Sequence, residues 1–514
     1  MELEPRRGTI FDTMLKAQAL NLPADSLYAS PNTMDEKEKS AAIGKISGIL
    51  HLNPAYIKDR LDRKKSFIWI SRKIPPEEAE AINKSKLKGF GFMRESKRSY
   101  PNSYLASHVI GFAGLDNVGL ESTEALYDKY LKGEPGWGLF LRDARQKKLD
   151  LWDKMVLPKD GYNVILNIDE VIQYIAEREL DKAFKTHHAK GASIVVMDPH
   201  TGAILALANR PTYDLNDHRN SDKDAMRNRA ICDMFEPGSV FKIVTASAAL
   251  EENRINEETK VFCENGSYRV ANHILHDHVP LGWLTFRQVI EESSNIGTTK
   301  VAQILGAQIV SRYVKLFGFG AKTGIDLPGE IPGQAKEPKD WSKTSIGAIP
   351  IGQEVGVTAI QLALAISVIA NGGQLMRPYV VKEIRDNYGE TIRKFSPVMV
   401  RKVISVDTAS RVREILTGVV EEGTGKLARV SGFSVAGKTG TGQKLEPNGA
   451  YSHNKFVGSF IGFAPAQDPV VVIAVIIDEP HPYYYGGVVA APVFSKVAAD
   501  VVRYLMGKEP RSAN

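Results

Sequence analysis

The chain has 514 residues, 43% of them hydrophobic and 25% charged, which is the composition of an ordinary globular protein with room for two or three domains. Its net charge of +6 comes without a basic block or interleaved aromatics and gives no case for a nucleic-acid partner. No window reaches the ~18 apolar residues of a membrane-spanning helix and no signal peptide opens the chain, so as written it reads as soluble. The two cysteines, Cys232 and Cys263, lack metal-ligand spacing; they could pair in an exported protein.

In chain order, Arg7-Gly-Thr-Ile-Phe-Asp12 reads as a short strand entered through a glycine. Residues 35–50 and 76–84 read as short charged helices, 109–115 as a strand and turn, and 119–132 as a helix. Nothing of catalytic type occurs over 1–160, so a scaffold or interaction module is the natural reading, with a boundary over 150–161. Residues 164–168 read as a strand, and 169–187 as a helix with Ile172, Ala176, Leu180 and Ala183 on one face. Asp198-Pro-His-Thr-Gly202 then joins two strands, 192–197 and 203–208, as a hairpin.

Next comes Phe235-Glu-Pro-Gly-Ser-Val-Phe-Lys242. Pro237 and Gly238 break the chain, and Val240, Ile243, Val244 and Leu250 follow at helical spacing. Ser239 is therefore expected at the first turn of a buried helix, with Lys242 one turn later on the same face. A serine hydroxyl is a poor nucleophile until a base takes its proton. Lys242 can be that base once discharged, because desolvation lowers a lysine pKa from about 10.4 by as much as 3–5 units.

His273, His276 and His278 with Asp277 look like a metal site on paper, but no second cluster matches them, and a loop or core role is expected instead. Residues 285–305 form a helical pattern that contains Ser293-Ser-Asn295. Thr358-Ala-Ile-Gln361 is a capping box opening an apolar helix that Asn371-Gly-Gly373 ends. Residues 433–441, 456–464 and 469–477 read as three consecutive strands, and 492–506 as a closing helix. The third strand is a continuous β-branched run suited to a sheet covered on both faces. The resulting fold class is α+β, an antiparallel sheet flanked by helices.

Three elements follow one another: Ser239-x-x-Lys242, Ser293-x-Asn295 and Lys438-Thr-Gly-Thr441. This ordered trio is a known signature of serine β-lactamases and penicillin-binding proteins. Ser293 can relay a proton between Lys242 and a leaving amine, and the Asn295 amide can hold an acyl-amide carbonyl and support Lys242. Lys438 supplies positive charge for a carboxylate that Thr439 and Thr441 can hydrogen-bond, while Gly440 lets an edge strand's backbone approach the substrate closely. The backbone N–H groups of Ser239 and Thr441 would form an oxyanion hole, where one donor is typically worth ~10²–10³ in rate. Decoys match each motif singly: Ser85/Lys88 in a lysine-rich run, Ser452/Lys455 in a polar loop, Lys322-Thr-Gly324, Ser30-Pro-Asn32 and Ser452-His-Asn454.

The chain resembles, over nearly its whole length, a class B penicillin-binding protein, a monofunctional peptidoglycan D,D-transpeptidase. Arg7-Gly-Thr-Ile-Phe-Asp12, Arg98-Ser-Tyr-Pro101 and Gly119-Leu-Glu121 are similar to motifs of that family's pedestal. Arg229-Ala-Ile-Cys-Asp-Met-Phe-Glu-Pro-Gly238 and Ser293-Ser-Asn295 resemble its septal-division or sporulation branch, and Tyr484-Tyr-Gly-Gly487 its ending. Phe11-Asp-Thr-Met-Leu15 departs from the family's usual Asp-Arg-Asn-Gly.

The resemblance implies an elongated pedestal (dimerisation or interaction) domain over 1–160, a transpeptidase domain of the penicillin-binding and serine β-lactamase kind over 161–507, and a tail over 508–514. It implies acylation of Ser239 by the penultimate D-Ala of a stem pentapeptide on lipid II-derived glycan strands, and by β-lactams. No cofactor and no metal are expected. Expected partners are membrane division proteins and a glycosyltransferase, at the inner membrane with the catalytic domain on its outer side. The family's membrane helix precedes the Arg-Gly motif, and with six residues before Arg7 the anchor is expected to be missing here. The rivals are a D,D-carboxypeptidase or β-lactamase of the same fold and a non-catalytic division scaffold. Class A lactamases need Glu-x-x-x-Asn, and Glu330-Ile-Pro-Gly-Gln334 ends in the wrong residue.

Overall fold

The computed structural model describes residues 2–142, 148–446 and 448–508, so residues 509–514 of the expected tail lie outside the described residues. Gly191–Met197 and Val471–Asp478 are β-branched and small apolar runs, buried almost throughout. They lie at the centre of a five-stranded antiparallel sheet in the order Ile204–Arg210, Gly191–Met197, Val471–Asp478, Tyr451–Ala464, Ala436–Leu445. Pairing Ile473 with Val196 and Val475 with Ile194 sends alternate side chains into two different cores. Ile194, Val196, Ile473 and Val475 pack with Ile172, Leu180, Phe494 and Val497 of the helices Glu170–Thr186 and Ala491–Lys508. Val195, Met197, Val472 and Ala474 face the other way, into the core of the helices Ala359–Ala370 and Val406–Glu421. A one-residue slip would exchange the two sets, so register is fixed by burial of side chains worth about 1.5–3 kcal/mol each. Every residue of Ala359–Ala370 is buried, and of the expected capping box one half is made, the Thr358 amide donating to Gln361 Oε1 at 3.0 Å, while Thr358 Oγ1 is without a partner among the described residues.

Before this sheet, Ala17–Ala29 pairs antiparallel with Phe90–Ser99 and Ile68–Ile74. Glu36–Leu50, capped by Asp35, joins Pro54–Leu61 and Pro76–Lys84 over a small core of Leu27, Ile46, Ile57, Ile70 and Ile82. Ile10–Phe11 carries the sheet onward, pairing in parallel with Asn163–Leu166 and thence reaching Val381–Arg385 and Thr391–Lys394. Beside it Glu124 is fully buried and accepts from the Nε atoms of Arg7 and Arg98, each at 2.6 Å. Ile10, Tyr100, Val109, Tyr127 and Leu131 belong to the same apolar cluster as Val240 and Phe241, the neighbours of Ser239. The protein is thus α+β with an N-terminal pedestal, as the sequence pattern indicates, and the two halves share one core.

Five local expectations are corrected. Residues 109–115 are not a strand: Ser107–Ile110 is a helical turn, closed by Gly111 at φ +71°, where a Cβ would meet the Glu121 carbonyl at 2.0 Å. The apolar run buries Val109 and Ile110 from that turn, an ambiguity short runs carry. The helix over 119–132 is two short pieces, Ser122–Leu126 and Asp128–Leu131. Within 150–161, residues up to Val156 belong to the strand Lys148–Val156, paired with Gly136–Arg142. The pattern over 285–305 is two helices, Phe286–Glu291 and Asn295–Leu305, separated at Ser293, whose φ is +58°. Ser452 to Lys455 lie on the strand Tyr451–Ala464, not in a loop.

Candidate active site

The chain reaches Ser239 through Phe235, which exchanges two backbone hydrogen bonds with Val357 (3.0 and 2.9 Å). Gly238 follows at φ +57°, where a Cβ would meet the Thr441 carbonyl at 2.5 Å. Gly238–Phe241 is a 3₁₀ turn and Lys242–Glu251 the helix that continues it. Ser239 is half-buried at this turn, and Lys242, the first residue of the helix, is wholly buried.

Lys242 Nζ contacts three oxygens: the Ser293 carbonyl, Ser293 Oγ at 3.1 Å and Asn295 Oδ1 at 2.8 Å. Lys438 comes from the edge strand Ala436–Leu445, also wholly buried, and its Nζ donates to Ser293 Oγ at 2.9 Å and to the Thr439 carbonyl at 3.3 Å. Two lysines from different elements therefore meet at one hydroxyl. The left-handed backbone at Ser293 allows this, because it turns both the carbonyl and the hydroxyl of that residue toward Lys242.

A cleft of about 480 Å³ is lined by Ser239, Ser293, Thr439, Gly440 and Thr441, with His278, Thr424 and Tyr485 also in its wall. Thr439 Oγ1 lies 2.8 Å from Thr424 Oγ1, and Thr441 Oγ1 accepts from the Gly486 amide at 3.1 Å, leaving its own O–H free to donate. Gly440 is needed by the protein itself: a Cβ there would sit 2.5 Å from Ser459 Oγ and 2.7 Å from the Pro237 carbonyl. The close approach it permits is to the serine-bearing turn.

Burial pushes both lysines down. Lys242 falls well below the ordinary lysine value through burial first and the neighbouring Lys438 charge second. Lys438 is lowered by burial to about 7, so its cation is not permanent in the unliganded cleft. His278 is lowered as well, by burial and then by Lys242.

The decoy motifs have other occupations. Ser85 closes the helix Pro76–Lys84 and donates to the Ala81 carbonyl, while Lys88 pairs with Glu38. Lys322-Thr-Gly324 is a loop fastened by Glu330, which accepts from the Thr323 and Gly324 amides (2.6 and 3.1 Å). Ser452 Oγ donates to Asn454 and Lys455 pairs with Glu446. Ser30 precedes the 3₁₀ turn Pro31–Thr33. Cys232 and Cys263 are free thiols. Asp277 of the histidine-rich stretch is turned to the start of the helix Asn295–Leu305, where it accepts from the Ser294 hydroxyl. Sequence reasoning missed Thr424 and the cleft positions of Tyr485 and His278. No local pattern gives them a place there, since each reaches the cleft through a loop placed by tertiary packing.

Residues 192–499 match the model of the penicillin-binding protein transpeptidase domain, and residues 2–166 that of the penicillin-binding protein dimerisation domain. Stage V sporulation protein D of Bacillus subtilis is 38% identical over 99% of this chain and 80% of its own length. Peptidoglycan D,D-transpeptidase FtsI of Escherichia coli is 30% identical over 99% of this chain and 85% of its own. Penicillin binding protein 3 of Mycobacterium tuberculosis, solved with aztreonam, superposes with a TM-score of 0.77 at 27% identity, covering 98% of this chain and 97% of that one.

Proposed function

Because the chain belongs to the penicillin-binding protein transpeptidases, we propose that Ser239 is its nucleophile and that the cleft around it carries the chemistry. The protein is a peptidoglycan D,D-transpeptidase, a penicillin-binding serine enzyme that cross-links stem peptides of the cell wall. The observation that carries the residue assignment is the meeting of Lys242 and Lys438 at Ser293 Oγ.

Uncharged Lys242 takes the Ser239 proton as Oγ attacks the penultimate D-Ala carbonyl. The tetrahedral adduct places its oxyanion at the Ser239 and Thr441 amides. It collapses with cleavage of the bond to the terminal D-Ala, whose amine leaves with the proton passed from Lys242 through Ser293. Ser293 suits this relay: its hydroxyl accepts from Lys438 and can donate to a neutral Lys242. An amine of a second stem peptide then attacks the ester, the cross-link forms, and Ser239 recovers its proton. Lys438, Thr439 and Thr441 hold the substrate carboxylate, and Asn295 the acyl-amide carbonyl.

The same reading assigns residues 1–160 to partner binding and 161–507 to catalysis, on glycan strands outside the cytoplasmic membrane, with division proteins and a glycosyltransferase as partners in septal synthesis. Among the described residues no helix is long and apolar enough to cross a membrane. The test is mass-spectrometric mapping of the site labelled by a fluorescent penicillin, with Ser239→Ala as the silent variant. Incubation with a stem pentapeptide and an acceptor amine should then yield a cross-linked product. Hydrolysis alone would favour a carboxypeptidase, and no labelling a scaffold.

A further inference from the structure

Between the pedestal and the catalytic half lies a second cavity, about 680 Å³ in volume, which shares no wall residue with the Ser239 cleft. One wall includes residues of the strands Ile68–Ile74 and Phe90–Ser99, and the other is formed by residues 215–220. The two walls are fastened to each other. Asn216 Oδ1 accepts from the Tyr100 amide at 3.0 Å, and its Nδ2 donates to the Tyr100 carbonyl at 2.9 Å. The Leu215 amide donates to the Ser103 carbonyl at 3.1 Å. The cavity is thus pre-formed, as ligand sites usually are, and its size is typical of them.

Its lining is strongly cationic. Arg72, Lys73, Lys97, Arg98 and Arg219 stand against a single acid, Asp217. Part of this charge is answered from behind the wall, where Arg72 pairs with Glu95 and Asp116, and Arg98 with Glu124. The rest is not. Lys73 is 9% exposed, yet among the described residues its Nζ hydrogen-bonds just the neutral Asn117 Oδ1, at 3.0 Å. Burial lowers its pKa, opposed by the charges of Glu4 and Glu95. Arg98 is 7% exposed, and its Nη2 is buried without a partner among the described residues. A buried guanidinium N–H of this kind calls for an acceptor. Lys97 and Arg219 are exposed and form no ion pair among the described residues.

We propose that this cavity binds a phosphate- or diphosphate-bearing ligand, with Lys73, Lys97, Arg98 and Arg219 around its oxyanion. A phosphate suits the set better than one carboxylate does, because it carries more negative charge and arginine's planar fork matches its oxygens. The volume exceeds the needs of the oxyanion alone. Leu22 and Leu115, both exposed apolar side chains, line the same cavity and give the rest of the ligand a surface to lie on. The inference stands on this cavity and does not need the acyl-transfer reading of the Ser239 cleft.

The experiment is isothermal titration of the full chain with inorganic diphosphate, then with farnesyl diphosphate and UDP-N-acetylglucosamine, which carry the same group on a lipid and on a soluble sugar nucleotide. Saturable binding of one diphosphate per chain is expected. Lys97→Glu combined with Arg219→Glu should weaken it ~10²-fold, since two charge-assisted contacts become repulsive. Lys37→Glu with Lys45→Glu makes the same change of net charge at exposed positions of the helix Glu36–Leu50 and should leave binding unchanged. Chain fully acylated by penicillin should bind diphosphate as the parent does. Tighter binding of farnesyl diphosphate than of UDP-N-acetylglucosamine would mark the source as lipid, and the reverse order as soluble; either supports the site. No saturable binding of any of the three probes overturns the proposal, as does equal weakening in the Lys37 and Lys45 variant. Loss of binding on acylation also overturns it, because the anion would then sit at Lys242 and Lys438. Both double variants should label with fluorescent penicillin at the parent's rate, which reports that they are folded. Should the first not label, Lys97→Gln with Arg219→Gln takes its place and should weaken binding in the same direction.

Discussion

The charge of Lys438 gives the sharpest test of the binding half of the site. Burial lowers its pKa to about 7 in the unliganded cleft. A ligand carboxylate beside it favours the cation, so the pKa of the complex lies above that of the free protein. Between the two values binding must take up a proton; the affinity is therefore level below about pH 7 and falls as pH rises through the window. The slope is a factor of ten per pH unit, about 1.4 kcal/mol, so two units above the free-state value the loss is ~10²-fold. The assay is the half-saturating concentration of a carboxylate-bearing β-lactam, read from stopped-flow acylation so that binding and the first-order step are separated. Lys438→Arg, a cation that stays charged, should bind more weakly but with a flat pH dependence. An ester of the same β-lactam should lose the slope on the parent. A flat profile for the parent, or the same slope in Lys438→Arg, would refute the assignment of Lys438 as the carboxylate's partner.

Lys242→Arg keeps a long basic side chain but removes a usable base, so it should still bind a β-lactam reversibly and hardly acylate; retention of most of the first-order rate would contradict the role. Glu124→Gln should cost about 3–5 kcal/mol, because it leaves Arg7 and Arg98 buried beside a neutral amide, and a thermal midpoint close to the parent's would show that Asp128 and the backbone carbonyls suffice. A fragment of residues 161–508 should be markedly less stable than the full chain. It loses the Ile10–Phe11 pairing of Asn163–Leu166 and the apolar cover over Val164 and Leu166, so equal thermal stability would refute the shared core.

Much of the catalytic half is legible in the sequence because its signals are local. Pro237-Gly238 before an apolar helix, a capping box at Thr358, and a β-branched run over 469–477 each name their element without help from the rest of the chain. The misreadings share a cause. Residues 285–305 look like one helix because helical spacing continues across Ser293, and no local window shows the left-handed backbone there or its contact with Lys242. Residues 109–115 look like a strand because an apolar run does not state its period, and the collision awaiting any side chain at Gly111 comes from Glu121, which no local window joins to it.

The sequence names a set of candidate residues but not how they are connected. Motif spacing places Ser239, Lys242 and Lys438 on their elements but puts Ser293 inside a helix that breaks there, and it suggests one neutral and one charged lysine. The geometry couples the two instead. Both amines touch Ser293 Oγ, both are wholly buried, and the charge of Lys438 is itself a reason that Lys242 is neutral. On the proposed roles, a substrate carboxylate beside Lys438 would hold that cation in place and at the same time cancel part of the field that depresses Lys242. Binding would then bias the state of Lys242, the proposed base. A ligand lacking the carboxylate should differ from one bearing it in its first-order acylation rate as well as its affinity, which no assignment of fixed, separate charges to the two lysines would produce.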